Sequence, residues 1–438
     1  MKAILLDGSP AKDATGERVH TSVKNELISR GWEIQSVQLC EKKIGNCAGD
    51  FFCWIRNPGI CNVADENRDI AEAIVHSDLL VYLTPVTFGG YSSTLKRMVD
   101  HQIQNVSPFF EQVNGETHHQ KRYTKYPDFL AVGWLDAPND QSEAVFRNLT
   151  HRNAINFHAM TANTGIVLTD NTEDVIQSQA KNWLNDLQQG KSSRPDKLPE
   201  SGERYEQAGE IKRALLLIGS PRTRKSTSQS LGGYLFERLG EHRVQTETIY
   251  IHTSMRSPER MQAMLEAVEA SDLVTLAFPL YVDSLPAPVV EALERIALNR
   301  SGKEKIHRQM FAAISNSGFP EVQHNQVALA ICETFAKEAG FDWAGSLALG
   351  AGQGLVHGMP LAELDGRAVQ LKRSLELSAE ALANGNKIPR EATDLMARPV
   401  ISPWLYRLAG IYGWRQQAKK YGMVKFLKRQ PYLETRAH

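Results

Sequence analysis

Residues 2–10 read KAILLDGSP, and residues 213–221 read RALLLIGSP. Each stretch is a short aliphatic run broken by Gly-Ser-Pro, the pattern of a buried strand that ends in a turn. Behind each lies a polar loop, an amphipathic helix (23–30; 231–239) and a second strand (33–39; 244–251). Further on, IAEAIVHSDLLVYLTP (70–85) is answered by MLEAVEASDLVTLAFP (264–279): a helix, Ser-Asp-Leu, and an apolar strand stopped by Pro. Helical patterns at 94–104 and 288–297 follow, then fourth strands at 129–135 and 310–315 and fifth strands at 165–169 and 345–349. Alternation of this kind predicts a parallel sheet with helices on both faces. Five strands in this sequence suit a flavodoxin-like, doubly wound sheet.

The chain is therefore read as α/β, with two tandem flavodoxin-like five-stranded parallel sheets and a basic aromatic C-terminal tail. The expected domains are 1–190 and 211–386, joined by a Gly-, Ser-, Pro- and charge-rich linker at 191–210 and followed by a tail at 387–438. The 438 residues include 42% hydrophobic and 23% charged side chains, which excludes a mainly disordered chain or a small disulfide scaffold. The apolar run at the start stops at Asp7, too short for a secretory signal. Five cysteines, an odd number, fit a reducing compartment, and a cytoplasmic location is expected.

A doubly wound sheet binds ligands where its first and third strand-to-helix loops meet. In the second half the first loop is GSPRTRKSTSQS (219–230), rich in hydroxyls and cations just before a helix, which suits a phosphate. It is neither a G-x-G-x-x-G nor a G-K-[ST] loop. Its counterpart GSPAKDATGERVHTS (8–22) keeps Ser9, Lys12 and Thr15 but adds Asp13 and Glu17, and is the weaker phosphate site. The third loops, TPVTFGGYSSTLKRMVD (84–100) and FPLYVDSLPAPVVEALE (278–294), pair Pro with an aromatic residue and can lay backbone amides on a flat heteroaromatic ring. Gly350 to Gly358, GAGQGLVHG, reads as an active-site rim. His118, His119, His151, His158, His307, His324 and His357 show no metal-ligand spacing and read as surface or packed side chains.

These loops resemble those of the NADPH-dependent FMN reductase and iron–sulfur flavoprotein group, across both halves. The segment CAGDFFCWIRNPGIC (47–61) is similar to that group's C-x-G-C-x-x-C-W-x-x-x-P-G-x-C. Asp50 stands where cluster-binding relatives have a second Cys, leaving Cys47, Cys53 and Cys61 where a [4Fe–4S] cluster takes four thiolates. No metal site is expected, and these three residues are the candidates were a cluster or zinc present. The resemblance implies FMN as cofactor and NAD(P)H as co-substrate, with the flavin rather than a side chain carrying the hydride. It assigns Ser9, Lys12 and Thr15 to phosphate and Pro85, Val86, Thr87, Phe88 and Gly89 to the ring in the first half. In the second half it assigns Ser220, Arg222, Ser226, Thr227 and Ser228 to phosphate. Pro279, Leu280, Tyr281, Val282, Asn316, Gly318 and Phe319 flank the ring there. The implied activity is NAD(P)H-dependent reduction of a quinone, free flavin or other small acceptor. The alternative is an electron-transfer or redox-sensing protein without turnover of its own, with one half vestigial. A homodimer, or a pseudo-dimer of the two halves, is the implied assembly.

The chain carries 50 Lys plus Arg and 50 Asp plus Glu. Eight of those cations lie between Arg398 and Tyr432 with no acid among them, so the rest of the chain carries an equal acidic excess. Trp404, Tyr406, Tyr412, Trp414, Tyr421, Phe426 and Tyr432 are interleaved. Docking of this segment on the chain itself, or on an acidic partner, is favoured over an anionic membrane surface. Nucleic acid is not an expected partner.

Overall fold

The computed structural model describes residues 1–198, 207–303, 307–356, 358–364, 366–399 and 401–434. The chain forms two compact units, Met1–Pro199 with Arg407–His438, and Glu200–Tyr406. The first contains β1 (Lys2–Asp7), α1 (Ala14–Ser29), β2 (Glu33–Gln38), α2 (Phe52–Ile55), α3 (Asn67–Val75), β3 (Leu79–Thr87), β4 (Gly90–Tyr91) and α4 (Ser93–His101). It continues with β5 (Val106–Val113), β6 (Glu116–Lys121), β7 (Asp128–Leu135), α5 (Asp140–Asn156), β8 (Ala162–Leu168) and α6 (Glu173–Gln188). The second contains β9 (Arg213–Ile218), α7 (Thr227–Glu241), β10 (Gln245–Tyr250), α8 (Ile251–Ser254), α9 (Pro258–Glu269), β11 (Leu273–Pro279) and α10 (Ala287–Arg300). It is completed by β12 (Met310–Asn316), α11 (Gln326–Glu338), β13 (Asp342–Leu349), α12 (Gly352–Val356), α13 (Val369–Ala383) and α14 (Arg390–Ala397). A last helix, α15 (Pro403–Lys419), leads into the C-terminal segment.

Both sheets are parallel with the same order: β2-β1-β3-β7-β8, with β4 antiparallel to β3, and β10-β9-β11-β12-β13. That is the flavodoxin-like order, with the switch point between the first and third strands. The central strands are apolar on both faces because helices cover both; Leu215, Leu216 and Leu217 in β9 are all fully buried. The edge strand β10 is mostly exposed and correspondingly polar, QTETIY. Leu216 packs so closely under α7 that a Cβ on Gly232 would sit 2.8 Å from its side chain. Burying such a leucine contributes about 1.5–3 kcal/mol, and Leu216→Ala costs about 2–5 kcal/mol through the cavity it leaves.

Both first helices begin well before their expected starts, because a polar cap stands ahead of each: Asp13 for α1 and Ser226 for α7. The β5–β6 hairpin leaves no strand signal in the sequence, because its charged and histidine-rich second strand lacks simple alternation. Nor does the C-terminal stretch stand apart. Ala392 and Met396 of α14 are buried in the core of the second unit, and Ala418 and Leu427 are buried in the first beside Cys53, Trp54 and Phe109. Of the expected linker, Ser193 donates its amide to Ala162 in the first unit, and Ala208 donates to Gly385 in the second. Part of that linker lies outside the described residues.

Candidate functional site

In the first unit the loop after β1 is organised by two carboxylates. Asp7 is 1% exposed, and its Oδ1 accepts the amide of Ser9 at 2.9 Å and the Ser9 hydroxyl. Its Oδ2 lies 2.8 Å from His20 Nδ1 and 3.0 Å from Gln38 Nε2. Burial by itself raises the Asp7 pKa, but the hydrogen bonds from His20 and Ser9 outweigh it and hold the carboxyl below its usual range. Asp13 caps α1, its Oδ1 accepting the amides of Thr15 and Gly16 at 3.0 Å each. Its Oδ2 accepts Nε1 of Trp134, at the end of β7, at 3.1 Å.

Two of the three expected phosphate ligands serve other partners. Ser9 is turned to Asp7, Thr15 Oγ1 accepts from Arg18 at 3.2 Å, and Lys12 is exposed in the left-handed region. The helix amides that would hold an anion already hold one. At an effective dielectric near 20, a charge 4 Å from a carboxylate is repelled by about 4 kcal/mol. The third loop folds back on its own strand: Val86 pairs with Tyr91 and Thr87 with Gly90. Phe88 and Gly89 turn the corner with φ of 54° and 81°. A Cβ on Gly89 would lie 2.7 Å from Val145. Pro85, Val86 and Thr87 are half-buried beside this turn.

The Cys segment lies elsewhere in this unit. Asp50 spends its carboxylate on the Phe52 amide at 2.9 Å, starting α2, which carries Cys53 and Trp54. Cys61 Sγ is 3.3 Å from His101 Nδ1, while His101 Nε2 is 2.8 Å from the carbonyl of Gly45. The carbonyl fixes the proton on Nε2, so Nδ1 accepts from the thiol. Burial pushes Cys47 up to about 12 and raises Cys53 and Cys61, so all three hold their protons. Among the described residues no three His, Cys, Asp or Glu side chains come together as a metal-ligand group.

In the second unit the equivalent loop is built without carboxylates. Ser226 caps α7, its Oγ accepting the Gln229 amide at 3.1 Å and donating to the Thr223 carbonyl at 2.7 Å. Among the described residues no acceptor is bound to the amides of Thr227 and Ser228. Ser220 is buried, and its Oγ accepts the Arg222 amide at 3.4 Å; Arg222, Arg224 and Lys225 are exposed around it. Asn316, at the end of β12, donates to Ser228 Oγ at 3.0 Å and to the Phe278 carbonyl at 2.9 Å, so it ties the first strand-to-helix loop to the third. The Leu280 amide bonds to the Asn316 carbonyl at 2.8 Å. Tyr281 pairs with Ser284 across a tight turn in which Val282 and Asp283 have positive φ. Pro279, Leu280, Tyr281 and Val282 are part-exposed. Gly318 is exposed and Phe319 half-buried at the adjoining loop.

Several contacts here have no signal in the sequence. Thr227 donates to the Gly352 carbonyl at 3.3 Å, and a Cβ on Gly358 would lie 2.6 Å from the Lys225 backbone, so Gly352 and Gly358 lie against the first loop. His357 falls outside the described residues. His324, read as a scattered histidine, is buried under the ring loop, its ring 4.8 Å from that of Phe319. Tyr406 donates to the Gly318 carbonyl from α15. None of these has a local signal; they meet only through the sheet.

The sequence pattern of the NADPH-dependent FMN reductase family matches residues 1–117 and again 213–331. The chain belongs to that family. Two relatives are an iron–sulfur flavoprotein of Methanocaldococcus jannaschii, 28% identical over 100 residues, and one of Archaeoglobus fulgidus, 26% identical over 103. The first alignment covers 23% of this chain and 51% of the relative, and the second 24% and 46%. The chain thus spans about half the length of these relatives. Among solved structures, an FMN-dependent NADH-azoreductase from Bacillus anthracis is 13% identical with a TM-score of 0.30, covering 40% of this chain and all of that one. Within this duplicated family member, the two copies differ at the helix cap: a carboxylate in one, a hydroxyl in the other.

Proposed function

We propose that the chain is an FMN-binding, NAD(P)H-dependent oxidoreductase whose flavin site lies in the second unit. The observation that carries this is the cap of α7: a neutral Ser226 with two open amides, backed by Ser220 and surrounded by Arg222, Arg224 and Lys225. A helix N-terminus so equipped suits a phosphate monoester. Ser220, Arg222, Ser226, Thr227 and Ser228 hold the phosphate. Pro279, Leu280, Tyr281 and Val282 support one edge of the ring, with Asn316, Gly318 and Phe319 on the other. Bound FMN supplies hydride and electron transfer between NAD(P)H and a small acceptor, a quinone or free flavin. The protein's part is positioning: Asn316 locks the two loops together, and Tyr406 fixes Gly318.

The first unit retains the fold but not the phosphate cradle, since Asp13 and Asp7 hold the groups that would bind the anion. One FMN per chain is the expected stoichiometry. The test is the visible spectrum and flavin-to-chain ratio of purified protein, with NAD(P)H oxidation followed using a quinone. Arg222→Ala with Ser226→Ala abolishes flavin retention on this reading. A wild-type chain that takes up no FMN on reconstitution would refute it.

A further inference from the structure

The helix α15 and the segment behind it carry apolar side chains on two sides. One side packs on the first unit: Ala418 and Leu427 are buried, and Trp414 meets Trp54 with ring centroids 5.1 Å apart. The other faces outward. Leu408 is 55% exposed, Tyr412 66% and Phe426 50%; Val424 and Tyr421 are also exposed, the latter with its ring edge on Phe52. Large apolar side chains left exposed close together mark a place of contact.

The charge decides which partner. Lys419, Lys420 and Lys425 are exposed among these apolar residues and pair with no carboxylate among the described residues. Between Arg398 and Tyr432 there is no acid at all. Cations alone would suit any polyanion, but the aromatic and aliphatic carbons gain only from an apolar layer beneath the charge. A nucleic acid backbone offers none; a bilayer interface offers both. No helix among the described residues is long and apolar enough to cross a membrane, so the arrangement is one of lying on the surface.

We propose that Leu408, Tyr412, Tyr421, Val424 and Phe426, with Lys419, Lys420 and Lys425, form a docking surface for an anionic phospholipid bilayer. This surface stands independently of the flavin site.

The test is co-sedimentation of the full chain with vesicles of phosphatidylcholine alone and of phosphatidylcholine with 30% phosphatidylglycerol, at low and high salt. The chain binds the anionic vesicles and is released by salt. Lys419→Glu with Lys420→Glu and Lys425→Glu lowers the partition coefficient at least about tenfold. Leu408→Gln with Phe426→Gln lowers it while keeping the charge. Thermal melting of each variant matches wild type, because the changed side chains are exposed. Equal binding to both vesicle types, or none to either, overturns the proposal. So does self-association abolished by the same substitutions without vesicle binding, which would make a second copy the partner.

Discussion

Trp134 donates its indole N–H to Asp13 across 3.1 Å, joining the end of the fourth main strand of the first unit to the start of its first helix. That bond lies across the loops where a doubly wound sheet takes its ligand, and it holds the cap carboxylate in place. The second unit has Ser226 at the equivalent cap, with Asn316 at the end of its fourth strand.

Replacing Asp13 by Ser gives the first unit the cap of the second. A serine cap keeps α1 within about 1 kcal/mol of wild type, so the fold survives. With excess FMN, the flavin-to-chain ratio then rises above that of wild type, measured after gel filtration. An unchanged ratio would show that Asp13 is not what bars the phosphate.

Asn316→Leu removes the amide that bonds Ser228 Oγ and the Phe278 carbonyl while keeping the volume. Leaving those buried acceptors unpaired costs about 1–3 kcal/mol. FMN affinity measured by flavin fluorescence quenching falls about tenfold or more, with a smaller drop in melting temperature than a core deletion causes.

Arg122 is buried and donates to the carbonyls of Leu427 at 3.2 Å and Arg429 at 2.8 Å, both in the C-terminal segment. Hydrogen bonds from a charged donor are each worth about 1.5–3 kcal/mol. In Arg122→Ala the segment after Lys419 becomes the first site of tryptic cleavage, while the two sheets stay protected. Cleavage no faster than in wild type would mean that the aromatic contacts alone hold it.

Burial lowers the pKa of His119 to about 3, and its ring lies 4.5 Å from that of Trp54 in the platform under that segment. The folded state holds the neutral ring, whereas the unfolded chain protonates near the ordinary value of 6.5. Stability from this site is present above about pH 6.5 and is lost progressively as the pH falls toward 3. His119→Phe flattens that part of the acid profile. Denaturant midpoints at pH 7 and pH 5 show whether the variant loses less on acidification than wild type.

Thiol chemistry separates the cysteines. Cys40 is exposed, whereas burial raises the pKa of Cys47, Cys53, Cys61 and Cys332. At neutral pH, iodoacetamide modifies Cys40 first in the native protein, and peptide mass mapping shows the buried Cys53, Cys61 and Cys332 alkylated only after unfolding. Early modification of Cys61 would mean that His101 activates it.

The sequence alone determined the duplication, the parallel sheets and their strand order, because a buried parallel strand must be apolar on both faces and leaves an unmistakable run. It also determined the hydroxyl-rich loop at 219–230, since loop composition is local. The roles of Asp13 and Asp7 were decided by tertiary structure, because their partners Trp134, His20 and Gln38 come from other strands and helices. The same holds for Gly352 and Gly358 against the first loop and for Tyr406 on Gly318, each joined over many residues by the sheet. The C-terminal segment shows the division most plainly. Its composition announced a basic aromatic stretch in need of a surface, but only the packed chain separates Trp414, Ala418 and Leu427, which face Trp54 and Phe109, from Leu408, Tyr412 and Phe426, which face outward. Composition counts apolar carbons; burial against a particular neighbour decides which of them are already covered.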